Sequence, residues 1–176
     1  MSNNALATRP GLAGMAGSAQ YLLFALGDET YGIGILSIKE IIEYGGVTPV
    51  PMMPATIRGV INLRGSVVPV MDLAVRFGKP PSTIGRRSCI VIVEIENEGE
   101  QQVIGVVVDS VSSVQEIAGS DIEPPPSFGL KIASSFVAGI GKVLGRFVIL
   151  LDVQQVLSME ELGALQSEQL VRLAQA

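Results

Sequence analysis

Apolar residues recur along this chain in short runs punctuated by glycine, proline and charged clusters, a spacing that predicts strands more often than helices. Residues 21–26, the turn 27–30 and residues 31–35 read as strand, tight turn and strand, the second run alternating with glycine. From Leu36 the spacing of Ile38, Ile41 and Ile42 predicts a short helix, capped by Ser37 and ended by Gly45 and Gly46. Residues 47–54 are too rich in proline for a central strand and belong on an edge or a surface connection. Residues 58–63 and 67–71 are β-branched runs around Arg64-Gly65-Ser66, which predicts a hairpin with glycine supplying positive φ. Asp72 then opens a helical turn, where a carboxylate satisfies free backbone N–H groups. After the loop 79–85, residues 88–95, the polar tip 96–102 and residues 103–108 repeat the opening hairpin on a longer turn. Residues 1–18 lack periodicity and read as a disordered tail. Leu162, Leu165, Leu170 and Leu173 place a C-terminal amphipathic helix over 158–176.

The pattern is written twice. Gly59, Gly65 and Asp72 recur as Gly139, Gly145 and Asp152, each pair 80 positions apart, and the apolar positions between them recur too. Gly32, Ile38 and Ile41 recur as Gly105, Val111 and Val114, each 73 apart. The difference, 80 − 73, leaves seven extra residues, which fit most simply in the loop 119–129. Two halves result, about 20–83 and 84–157, within one unit spanning 19–157. Many short strands, a duplication and few helices predict a mainly β fold of two small barrels, which would also remove exposed strand edges. The polar residues break the repeat: Asn62 and Arg64 face Lys142 and Leu144, so the same backbone carries different chemistry. Asp72 and Asp152 precede similar helical turns and read as caps rather than catalytic acids.

Composition narrows the chemistry. With no histidine and one cysteine, the chain lacks His acid–base catalysis, His-ligated metals and intrachain disulfides. Cys89 lies in an apolar run and reads as a small core residue. Net charge is −5 and the cations are scattered, which argues against nucleic acid. The uncharged stretch 10–27 is broken by proline and glycine, so neither a spanning helix nor a secretion signal is expected. Low cysteine use fits the cytoplasm.

Taken together, Tyr31-Gly-Ile33, residues 38–41, Arg58-Gly-Val-Ile-Asn-Leu-Arg-Gly65, Val68-Pro-Val-Met-Asp-Leu73, Gly105-Val-Val-Val-Asp109 and Gly139-Ile-Gly141 resemble the chemotaxis coupling protein family, CheW, from about residue 20 to 157. The resemblance implies two five-stranded SH3-like barrels, with exchange of strands between them left open, so the boundary at residue 83 is one of sequence only. It also implies a non-enzymatic adaptor without cofactor, joining the cytoplasmic tip of a methyl-accepting chemoreceptor to the regulatory domain of the histidine kinase CheA in a signalling array. Such an adaptor would be cytoplasmic and recruited to the inner face of the membrane through receptors, without insertion. The module is also similar to the kinase's own regulatory domain, but the residues after the match are too few for a kinase or receiver domain.

The positions matching the family's receptor contacts are Ile38, Glu40, Ile41, Asn62 and Arg64. Ile38 and Ile41 read equally as core, whereas Arg64 has Leu144 as its repeat partner, so the fold itself does not demand a charge there. The implied kinase contacts are Val47, Arg58 and Gly59 at one end and Phe128, beside Pro124–Pro126, at the other. A competing class, a β-barrel enzyme or small-molecule binder, would use the carboxylates of Asp109 with Glu116 or Asp72 with Glu43. Coupling in a second chemosensory or pilus-based system would use the same mechanics.

Overall fold

The computed structural model describes residues 17–158, apart from Phe128, Lys131 and the side chain of Asn97. The expected N-terminal tail and C-terminal helix therefore lie outside the described residues, except at their inner ends, where Ser18 already begins a strand. The first half contains β1 (Ser18–Leu26), β2 (Glu29–Gly34), β3 (Ile38–Glu43), β4 (Ile57–Leu63), β5 (Ser66–Asp72) and a single turn of helix, α1 (Leu73–Arg76). The second half repeats it with β6 (Cys89–Asn97), β7 (Glu100–Val108), β8 (Ser110–Ala118), β9 (Ile122–Glu123), β10 (Val137–Val143), β11 (Arg146–Leu151) and α2 (Val153–Val156).

Strands are exchanged between the halves. One sheet runs β8-β1-β2-β11-β10-β9 and the other β3-β6-β7-β5-β4. Each half thus lends its opening hairpin to the sheet completed by the other, and the joints are the parallel pairs β2 with β11 and β5 with β7. Gly32 and Gly105 recur because they sit at these joints. A Cβ at Gly32 would come within 2.9 Å of a Leu150 methyl, and one at Gly105 within 2.6 Å of an Ile90 methyl.

Packing follows the same division. The largest apolar cluster lies between the sheets and unites both halves, including Phe24, Tyr31, Met71, Phe77, Val91, Val106 and Leu151. Phe24, Tyr31, Phe77 and Phe136 form a row of rings with neighbouring centroids 5.9, 5.5 and 5.7 Å apart. A smaller cluster sits in the curl of each sheet, around Ile61, Val70, Ile90 and Ile92 in one and around Leu23, Ile117, Val148 and Leu150 in the other.

The helix predicted from Leu36 is instead a 3-10 turn (Ile35–Ser37) followed by edge strand β3. A bulge produced the helical spacing: Ile38 opposes Val93 and Glu40 opposes Ile92, leaving Lys39 unopposed. Ile38 and Ile41 consequently share the face of Val93 and Val91, towards the inter-sheet core, while Glu40 and Ile42 share the face of Ile92 and Ile90. The second copy carries the same defect at Ser112, between Leu23 opposite Ser113 and Phe24 opposite Val111.

The extra residues divide in the structure. Thr48 bridges Val60, and the equivalent bridge joins Glu123 to Ile140, so the offset is already 75 at Glu123. Two of the seven residues therefore precede Glu123, and five fall between β9 and β10, partly beyond the loop expected to hold them all.

Cys89 packs half-buried against the central core, and burial, reinforced by the Glu43 carboxylate, pushes its thiol pKa up. Iodoacetamide at neutral pH is expected to alkylate it more slowly than a free thiol such as glutathione. A rate equal to or above that of glutathione would contradict the core assignment.

Candidate partner-binding site

The β4–β5 hairpin tip is shaped by two residues in the left-handed region, Arg64 at φ 52° and Gly65 at φ 87°. Asn62 Oδ1 accepts a hydrogen bond from the Gly65 backbone N–H at 2.9 Å, so this candidate contact also holds the turn. Strand β3 and this tip lie at opposite edges of the five-stranded sheet, and its curl brings them together. There Arg64 forms a forked pair with Glu40, Nη2 donating to Oε1 at 2.9 Å and Nη1 to Oε2. Arg64 remains 73% exposed and Glu40 27%, so the pair clasps the sheet's seam while open to solvent.

The Arg64 hydrogen bond, with help from the charges of Arg64 and Lys39, holds the Glu40 carboxyl below the usual carboxylate range. A lowered folded value means that the clasp is complete above the ordinary carboxylate pKa, about 4.3. It is lost only as the pH falls through the lower folded value.

Glu40, Asn62 and Arg64 thus form one cluster. Ile38 and Ile41 occupy the other face of β3, Ile38 half-buried against the central core and Ile41 exposed. The alternation along the sequence could not separate these faces because the bulge inverts it.

Val47, Arg58 and Gly59 also come together, around the start of β4. Val47 packs on the cluster inside its sheet. Gly59, at φ 154°, lies against the Thr48 carbonyl, where a Cβ would sit 2.2 Å from the oxygen. Arg58 Nη1 donates to Asp72 Oδ2 at 2.8 Å and to the Ser82 carbonyl at 3.3 Å, while Nε donates to the Tyr44 hydroxyl at 3.1 Å. Phe128 lies outside the described residues.

Asp72 is the centre of this second cluster and is fully buried. Besides Arg58, it accepts hydrogen bonds from Ala74 N at 3.0 Å and from Ser82 N and Oγ, both at 2.9 Å. It is therefore a cap, as expected, and also the anchor of the inter-half loop. Asp152 caps α2 through Gln155 N at 3.2 Å, and the position equivalent to Arg58 is Ala138. That substitution within the repeat was the available sign of Arg58's role; Tyr44 and Ser82 carried no such sign. The carboxylates of the other proposed pair have separate partners, Asp109 accepting from Gly27 N and Glu116 from the Ser18 hydroxyl, both at 2.8 Å. Among the described residues no helix is long and apolar enough to cross a membrane.

A duplicated, strand-exchanged pair of sheets defines a class of mainly β two-subdomain modules. The CheW-like domain family model matches residues 20–161. The chain is 39% identical over 158 residues to the chemotaxis protein CheW of Klebsiella aerogenes, covering 90% of this chain and 93% of that protein. It is 32% identical over 126 residues to the protein FrzA of Myxococcus xanthus, covering 72% and 76%. The crystal structure of the scaffolding protein TtCheW from Thermoanaerobacter tengcongensis superposes with a TM-score of 0.72 at 35% identity, covering 80% of this chain and 88% of that one. The chain belongs to the CheW family.

Proposed function

We propose that the chain is a non-enzymatic chemotaxis adaptor that joins the cytoplasmic tip of methyl-accepting chemoreceptors to the histidine kinase CheA and helps to build the signalling array. It works in the cytoplasm, at the inner face of the membrane, held there by receptors. Receptor binding uses Glu40, Asn62 and Arg64 with Ile38 and Ile41 on the adjoining face of β3. Kinase binding uses the surface around Val47, Arg58 and Gly59, together with Phe128.

The observation that carries this reading is the Arg64–Glu40 clasp, present in one copy of the repeat and missing from the other. A fork held in place by its own carboxylate, yet largely exposed, is preorganised to accept a second carboxylate from a partner helix. Arg58 contributes differently: its guanidinium is bound within the chain, so it supports the kinase face mainly by fixing Asp72, Tyr44 and the loop at Ser82.

Arg64→Ala is expected to lose receptor binding in a pull-down with receptor-bearing membranes while changing the unfolding midpoint little, since exposed pairs contribute about 1 kcal/mol or less. The exchanged pair Glu40→Arg with Arg64→Glu is expected to restore the clasp at an unchanged unfolding midpoint but receptor binding only in part, because the cation then sits on β3. Normal receptor binding and kinase activation by Arg64→Ala would overturn the proposal.

A further inference from the structure

The two copies of the repeated turn share a backbone and differ in what surrounds it. Leu144 and Gly145 adopt φ 50° and 77°, matching Arg64 and Gly65. In the first copy β3 supplies Glu40 to the cation at the tip. In the second copy edge strand β8 holds the equivalent place, with the same bulge, and Ser113 stands where Glu40 does. That strand thus has no carboxylate at this position. The second tip instead carries Lys142 and Arg146, both exposed, and among the described residues neither makes an ion pair or a side-chain hydrogen bond.

Its apolar residues are equally unsatisfied. Leu144 is 90% exposed and Phe147 67%, and Phe147 lies directly across the strands from Lys142. A leucine at positive φ is a strained choice for a turn that favours asparagine or glycine, and neither side chain gains much burial. The described residues of the chain therefore give no reason for Leu144 or Phe147.

We propose that the β10–β11 tip docks an acidic amphipathic helix of a partner protein. Leu144 and Phe147 meet the helix's apolar stripe, and Lys142 and Arg146 pair with carboxylates flanking that stripe. Charge complementarity selects this occupant: two cations without an ion-pair partner among the described residues frame the apolar pair in a chain whose net charge is −5. A second copy of the chain is the poorer occupant, because two such molecules repel at long range. The tip shares no residue with the receptor and kinase surfaces described above, so the proposal does not depend on them. Two apolar side chains make a small contact, and the binding is weak and sensitive to salt.

The test titrates the 15N-labelled full chain with a synthetic helical peptide bearing leucines at i, i+3, i+4 and i+7 flanked by glutamates, and with the same peptide carrying lysines instead. The glutamate peptide is expected to shift the amides of residues 142–147 and to bind roughly tenfold tighter than the lysine peptide. Phe147→Ser should weaken it roughly tenfold without a marked change in unfolding midpoint, as expected for an exposed anchor. Lys142→Glu with Arg146→Glu should reverse the preference between peptides. Equal binding of both peptides, shifts centred elsewhere, or no effect of Phe147→Ser would overturn the proposal. So would concentration-dependent self-association of the chain in sedimentation velocity that Phe147→Ser abolishes, since it would assign the tip to a second copy.

Discussion

Asp72→Ala is expected to destabilise the protein by about 3 kcal/mol, whereas the same change at Asp152 costs about 1 kcal/mol. Both residues begin a short helix after the repeated hairpin, and both lose a cap. Asp72 is in addition fully buried and receives donors from Ala74, Arg58 and two atoms of Ser82. Its removal strands a guanidinium that is itself only 26% exposed, and frees the loop between the halves. Partial solvent access to Arg58 keeps the figure at the lower end for a broken buried pair. Chemical unfolding of the two variants, compared at equal m-values, measures the difference. Equal losses would show that Asp72 is only a cap.

Gly59→Ala is expected to cost about 3 kcal/mol as well, through a different cause. The new Cβ would stand 2.2 Å from the Thr48 carbonyl oxygen and 2.7 Å from its carbon, in backbone that cannot slide away like the end of a side chain. The Thr48–Val60 bridge must then open. Gly78, at φ 81° with open space around it, isolates the conformational part: Gly78→Ala should cost only about 1 kcal/mol. Thermal midpoints of the two variants decide between steric and conformational causes, and similar shifts would refute the close-approach argument. If Gly59→Ala also weakens kinase binding, binding that recovers at low temperature along with folding assigns Gly59 to the scaffold of that surface rather than to the contact itself.

The hairpins, their turns and both caps were legible in the sequence because each is local: Arg64-Gly65 between β-branched runs, and an aspartate before a helical turn. Strand exchange was not, since the same apolar alternation in β1 and β2 would suit either sheet. Only the parallel joints at Gly32 and Gly105 decide it, and those involve residues distant in the chain. The false helix at residues 36–42 has a single cause: one unopposed residue, Lys39, converts a period of two into the spacing of Ile38, Ile41 and Ile42.

The candidate site was legible where the repeat disagreed with itself. Arg64 against Leu144 marked the tip, but the spacing did not disclose that its fork is filled by Glu40, because β3 and the tip meet only when the sheet curls. Arg58 came only from the family resemblance; its contrast with Ala138 in the repeat was there to be read, and its meaning is visible only with Asp72 and Ser82 placed beside it.

The proposed joining of a receptor to a kinase through separate surfaces is measured most directly by co-sedimentation of purified CheA with receptor-bearing membranes, with and without the full chain, read together with kinase activity. The expected result is that the chain brings the kinase to the membranes and activates it, and that Arg64→Ala, folded normally, does neither while still binding kinase in solution. Equal kinase recruitment with and without the chain, or a chain that binds neither partner, would contradict the account.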